Sequence, residues 1–412
     1  MNNLIKIIYY RLMILFSQSK FFLVDSSLNI LASLLLTAST QLFIYPLLSR
    51  YYDAYEYGTI LTSMGLINAI GVTLGSTINN TRLLAQKKYE KKQLLGDFNN
   101  IFYASSLLIF LFSFILYVFN KNSIWIGILI FFTSFRSYFT VEYRIIINYK
   151  KTLINNFVTC IGYLLGIIWL IYLKNWYLIF LTGEIFSAVY LLCSTSIIRD
   201  PLRKTIYFKD TIKSYLFYLT ANSLANFMLY MDRFLIFPIL GSQIVSVYTA
   251  ASFLGKTAGI VMGPISGVLL SYYSKEDYID KRAFWKRLVI FSIIAFAFFI
   301  MIVTIGYPVT YMLYPTLFGK AKQYFVIANL GVIILILGNT VQPTLLRFCH
   351  PRWSLVIQVI YLIFYLLFAT LLSQKHGLFG FCLGVLLANI LRLIIMVLII
   401  NHSISQTRRE NY

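Results

Sequence analysis

The chain has 412 residues; 59% are hydrophobic, only 12% are charged, and the net charge is +21. Soluble domains carry about a quarter charged residues, so a mean hydropathy of +0.77 leaves too few polar groups to cover a globular surface. The apolar runs recur from end to end, which excludes a soluble protein with one greasy domain and points to a polytopic membrane protein.

Residues 1–20 hold Lys6, Arg11 and Lys20 around a short apolar patch at 7–10. No small-residue cleavage site follows, so the segment reads as a cytosolic amphipathic lead-in at the membrane surface. Twelve stretches then meet the length of about 20 apolar residues that a spanning helix needs. In the first half they are 21–48, 57–80, 94–119, 124–148, 152–173 and 176–198; in the second, 214–240, 244–273, 288–313, 324–349, 353–373 and 377–402. With the N-terminus inside, alternate loops hold 24 Lys and Arg on the cytosolic side against 6 outside. That asymmetry predicts twelve spans with both termini cytosolic. The positive charge is loop charge facing anionic lipid and gives no nucleic-acid footprint.

The basic stretch 199–213 is the longest interior cytosolic linker and divides the chain into six spans (21–198) and six spans (214–402), followed by a tail at 403–412. The halves echo each other. IYPLLS at 44–49 precedes EYGT, and IFPILG at 236–241 precedes VYTA. Pro46 to Arg82 is 36 residues and Pro238 to Lys275 is 37. This spacing predicts a parallel repeat about an axis along the membrane normal. Span 8 carries Gly255, Gly259, Gly263 and Gly267 at every fourth position, with Pro264 among them. A smooth glycine stripe admits a close neighbour and proline bends a helix, so this span reads as a gate helix; tight packing explains the same glycines.

Cys160, Cys193, Cys349 and Cys382 all lie in apolar runs without CxxC spacing, and the three histidines are scattered. Neither disulfide nor metal site is expected. No Walker loop, HExxH or GxSxG is present, so neither an enzyme nor an ATP-driven pump is indicated.

The stretch MDRFLIFPILGSQIVSVYTAASFLGKTAGIVMGPISGVLLSYYSK (231–275) resembles the central signature of bacterial O-antigen flippases of the Wzx type. These are polysaccharide exporters of the multidrug/oligosaccharidyl-lipid/polysaccharide (MOP) superfamily. The shared features are an acid–base pair, a turn into the next helix and a proline-bearing helix. Here the turn, Val247-Tyr248, lacks the usual glycine. YPLLSRYYDAYEYGTI (45–60) is similar to the family's first hairpin and HGLFGFCLGVLLANI (376–390) to its last. The resemblance spans the whole chain. It implies an all-α membrane protein with two six-helix bundles in a V. It also implies export of an undecaprenyl-pyrophosphate-linked oligosaccharide across the bacterial inner membrane, beside a polysaccharide polymerase and a chain-length regulator.

A charge at mid-bilayer costs several kcal/mol unless paired or solvated. Arg136 lies about 18 Å into its span, with Lys256 similarly deep, Arg392 and Glu184 central, and Asp232 and Arg233 in the outer half of span 7. Four bases against two acids predict an anion-attracting interior. Arg136, Arg233, Lys256 and Arg392 are the candidate head-group contacts, since guanidinium forks suit phosphate oxygens. Asp232 and Glu184 could pair with these bases or take up a coupling proton or sodium ion; no other cofactor is expected. Asp232 and Arg233 point about 100° apart on a helix, so they cannot face each other. Arg144, near a cytosolic end, is a candidate entry contact. The alternatives are a multidrug or cation exporter of the same superfamily, which would need an acidic interior, and a flippase for a capsular unit or a peptidoglycan precursor. A membrane polymerase or ligase would need a larger outer loop than 49–56 or 314–323 provides.

Overall fold

A computed structural model describes residues 27–117, 123–273, 279–350 and 352–410. The lead-in at 1–20 lies outside the described residues, as do the start of the first span and the last two residues of the tail. Among the described residues the fold is entirely helical. Helix α1 (Ser27–Tyr51) contains a π-helical stretch at Ser39–Ile44. It is followed by α2 (Ala54–Glu90), α3 (Asp97–Tyr117), α4 (Ser123–Phe139), the short α5 (Val141–Ile145), α6 (Tyr149–Leu173) and α7 (Trp176–Ser194). Then come α8 (Phe208–Leu240), α9 (Ser242–Tyr273), α10 (Lys281–Leu313), the short α11 (Pro315–Ala321), α12 (Phe325–Phe348) and α13 (Arg352–Glu410). The last is two rods, because His376 and Gly377 leave helical geometry inside it. Gly377 has φ +57, a left-handed value that a side chain would strain.

Ten of these helices are long and apolar enough to cross a membrane, counting α4 with α5 as one and α13 once. With α9 and the break in α13, the described residues supply twelve membrane-length rods, and the chain is a multi-pass membrane protein. Several helices outrun their apolar runs. Residues 81–90 and 208–213 continue α2 and α8 into polar sequence because their side chains find partners there.

Contacts divide the chain into two compact units, 1–40 with 63–230, and 41–62 with 231–412. In the first, α6 and α7 approach closely enough that a Cβ on Gly162 would stand 2.6 Å from the Cα of Gly183, and one on Gly166 2.8 Å from the Cα of Ile179. Small residues set such distances where lipid supplies no hydrophobic drive for helix association. An aromatic cluster of Tyr89, Phe98, Phe102, Phe135, Tyr138 and Phe139 packs at one end of this unit.

The linker is tied to that end. Arg82 pairs with Asp200 at 2.6 Å and donates to the Tyr138 hydroxyl at 3.0 Å. Asn99 donates to the carbonyl of Ile197 at 3.0 Å, and Asp97 accepts from the Thr205 amide at 2.7 Å and from Tyr89 at 2.6 Å. Gly96, at φ +116, lets Pro201 sit close: a Cβ there would meet the Pro201 carbonyl at 2.3 Å.

In the second unit α12 is largely enclosed, with fourteen buried residues including Asn329, Thr340 and Val341. It packs against α9, α10 and α13. Its Asn329 carboxamide accepts from the Gly255 N–H at 2.7 Å and donates to the Ala251 carbonyl at 2.8 Å. Those two backbone groups are the i and i+4 partners of an ordinary α-helical rung.

Candidate functional site

The deep charges fall into two groups, one in each unit. In the first unit Arg136 on α4 meets Glu184 on α7 through two hydrogen bonds of 2.9 Å each, from Nε and Nη2. Glu184 is 3% exposed and also accepts from the Tyr163 hydroxyl at 3.2 Å. Two parallel N–H···O contacts form the strongest and most directional kind of ion pair. The pair supplies the neutralisation that a mid-membrane arginine requires. Arg144, on α5, donates to Asn79 at 2.7 Å and Asn80 at 2.9 Å. Its neighbour Glu142 accepts from the Ser196 and Ile197 amides at 2.7 and 3.0 Å, so the two charges serve different elements.

In the second unit Asp232 on α8 pairs with Lys256 on α9, and the Lys256 ammonium also lies 4.8 Å from the centre of the Tyr248 ring. The Asp232 side chain is 6% exposed and that of Lys256 30%. Arg233 turns away from this pair, as a step of about 100° per residue requires. It donates to the Leu61 carbonyl at 2.8 Å and stands 5.9 Å from the Tyr45 ring centre.

Arg392, on the second rod of α13, is 5% exposed. Its Nη1 donates to the Asn339 side-chain carbonyl at 3.0 Å and its Nη2 to that of Gln342 at 3.0 Å. Its guanidinium lies 5.1 Å from the ring centre of Tyr361, and its Nε is buried without a hydrogen-bond partner. Among the described residues Arg392 is in no salt bridge. Tyr361 in turn donates to Asn389 at 2.9 Å, and Asn389 donates to the Gly331 carbonyl at 2.9 Å, which fixes the ring beneath the guanidinium.

Of the gate-helix residues, Gly255 faces Asn329, whose Oδ1 would lie 2.8 Å from an added Cβ, and Gly259 faces Ile336 at 3.6 Å. Gly263, Pro264 and Gly267 lie within the helical backbone of α9, and their surroundings fall outside the described residues.

The sequence reading named the charges and missed what holds Arg392. Asn339 and Gln342 are three apart, so they share one face of α12, and both interrupt an otherwise apolar run just before Pro343. Two amides at helical spacing inside a span were the available signal. Tyr361 carried none, being one of 32 tyrosines.

No family model matches the chain, and no curated protein matches it. Solved structures do. A lipid II flippase, MurJ, in an inward closed conformation aligns with a TM-score of 0.64 at 16% identity, over 93% of this chain and 87% of that one. A multidrug resistance MATE family transporter of the MOP superfamily aligns at 0.61 and 13% identity in its inward-facing conformation. Its outward-facing conformation aligns at 0.60 and 13%; in both, 93% of this chain and 96% of that one are covered. At such identities the likeness is one of fold, and the fold of this chain is the one these transporters share.

Proposed function

We propose that the chain is a flippase. It carries an undecaprenyl-pyrophosphate-linked oligosaccharide, an O-antigen repeat unit, from the cytosolic to the outer face of the bacterial inner membrane by alternating access. The observation that carries this reading is Arg392. A buried guanidinium held only by neutral groups keeps its full charge for an anion, and the head group of such a cargo is a diphosphate. The fold supports transport, and one solved relative of that fold is a lipid II flippase. The positive-inside asymmetry supports cytosolic termini.

The rival that the MATE structures raise is export of a cationic drug. A cation carrier needs an uncompensated acid in its interior. The two deep acids here, Glu184 and Asp232, each hold a base already.

In this reading Arg392 and Arg233 take the diphosphate when the helices around them part, and Lys256 does so as its pair with Asp232 opens; Arg136, in the first unit, engages an anion only at a step that opens its pair with Glu184. Asp232 is the place for proton or sodium coupling, because its partner Lys256 is the more exposed base of the two pairs. Arg144 greets the cargo at the cytosolic side. The α9 stripe through Gly255 and Gly259 is the moving surface. A polymerase and a chain-length regulator act on the delivered unit.

Deleting the gene, followed by mass spectrometry of undecaprenyl-linked sugars and an assay of surface polysaccharide, tests the function. Complete lipid-linked units accumulating while surface polymer disappears is the expected result, and the accumulated unit identifies the cargo. An unchanged surface with increased drug sensitivity would establish the exporter reading instead.

A further inference from the structure

The geometry around Arg392 points to two residues that decide what the site accepts. We propose that Asn339 and Gln342 are specificity-determining residues: as neutral amides they aim the guanidinium while leaving its charge to an anionic group of the substrate. The inference rests on the reading above, in which that group is a lipid-linked diphosphate.

Each amide accepts one bond from the guanidinium, Asn339 from Nη1 and Gln342 from Nη2, at 3.0 Å each. Asparagine and aspartate are nearly isosteric, as are glutamine and glutamate. An acid at either position would make the same contacts and would also offset the burial of a charge that is 5% exposed. For folding alone the acid is the better choice. The first unit makes that choice at Glu184, whose carboxylate closes on Arg136.

The second unit avoids it twice, at two positions on one face of α12. Tyr361 strengthens the pattern, since its ring face attracts the cation without cancelling it. The Nε left without a partner is a further donor directed at nothing among the described residues. Pro343 follows Gln342 directly and has no N–H to give to the Asn339 carbonyl. The site therefore sits where α12 lacks one rung.

The test separates charge from fold. Gln342→Glu and Asn339→Asp are each purified, and their Tm is measured with and without undecaprenyl pyrophosphate. The same variants are scored for surface polysaccharide in cells lacking the native gene. The expected result is a Tm equal to or above that of the native protein. The rise in Tm on adding undecaprenyl pyrophosphate is lost or needs at least tenfold more lipid, and surface polymer falls at least tenfold.

Native binding and export in both variants, with Arg392→Gln inactive, would overturn the specificity role and leave the diphosphate reading standing. Native binding and export in Arg392→Gln itself would overturn that reading. A lowered Tm in both acidic variants, with export falling in proportion, would make the amides merely structural and overturn the proposal.

Discussion

Arg136 and Arg392 are both arginines deep in the spans of a membrane protein, and their surroundings are opposite in kind. Arg136 is locked by a carboxylate that also receives a tyrosine hydroxyl. Arg392 rests on two amides and an aromatic ring. The first arrangement neutralises the buried charge with a carboxylate; the second surrounds it with neutral groups, which on the proposed function leaves it for an anion. Burial alone therefore does not identify a binding group. On the proposed function, the formal charge of its partners does.

Breaking the locked pair is expected to have the largest effect. Arg136→Ala leaves Glu184 buried without its base, a loss of about 3–5 kcal/mol. It should lower the amount of folded protein in the membrane, measured by immunoblot and by thermal unfolding in detergent. Replacing both partners at once, Arg136→Met with Glu184→Leu, should recover most of that loss, because no orphan charge remains.

The Lys256–Asp232 pair stands between the two extremes, since its ammonium is partly exposed. Asp232→Asn should cost about 1–2 kcal/mol by the same unfolding assay, clearly less than Arg136→Ala. An equal or greater loss would erase the ranking of the two pairs.

Asn329→Leu removes both bonds to the α9 backbone and should cost about 1 kcal/mol, because Gly255 and Ala251 can then bond to each other.

The smallest effect on stability belongs to Arg392→Gln, within about 1 kcal/mol. There the lost hydrogen bonds are offset by the removal of a buried charge. Export, read as surface polysaccharide at unchanged protein level, should nevertheless fall sharply. The contrast with Arg136→Ala, in which stability fails first, is the sharpest form of the comparison.

The spans were legible because membrane length and apolar composition are local properties, and each of the twelve stretches corresponds to a helical rod. The ends of α2 and α8 were not, since their extension depends on partners such as Asp200 for Arg82, 118 positions away. The deep charges were equally plain as interruptions of apolar sequence. Their pairing was hidden: Arg136 finds Glu184 at a separation of 48, and Arg392 finds Gln342 at 50. A helical membrane protein chooses such pairs by tertiary packing, and no periodicity within one span reports which neighbour a side chain will meet. The amides of α12 looked like neutral breaks in a hydrophobic run until their partner was known.

The Asn329 carboxamide has a consequence for how α9 can deform. In hydrocarbon an unsatisfied backbone group costs several kcal/mol, which ordinarily keeps a spanning helix straight. Asn329 offers one acceptor and one donor to the two members of a single rung. Were that rung to open, neither of its backbone groups would be left unsatisfied. With Gly255 adding no side chain at that turn, bending α9 there would strand no backbone group in hydrocarbon.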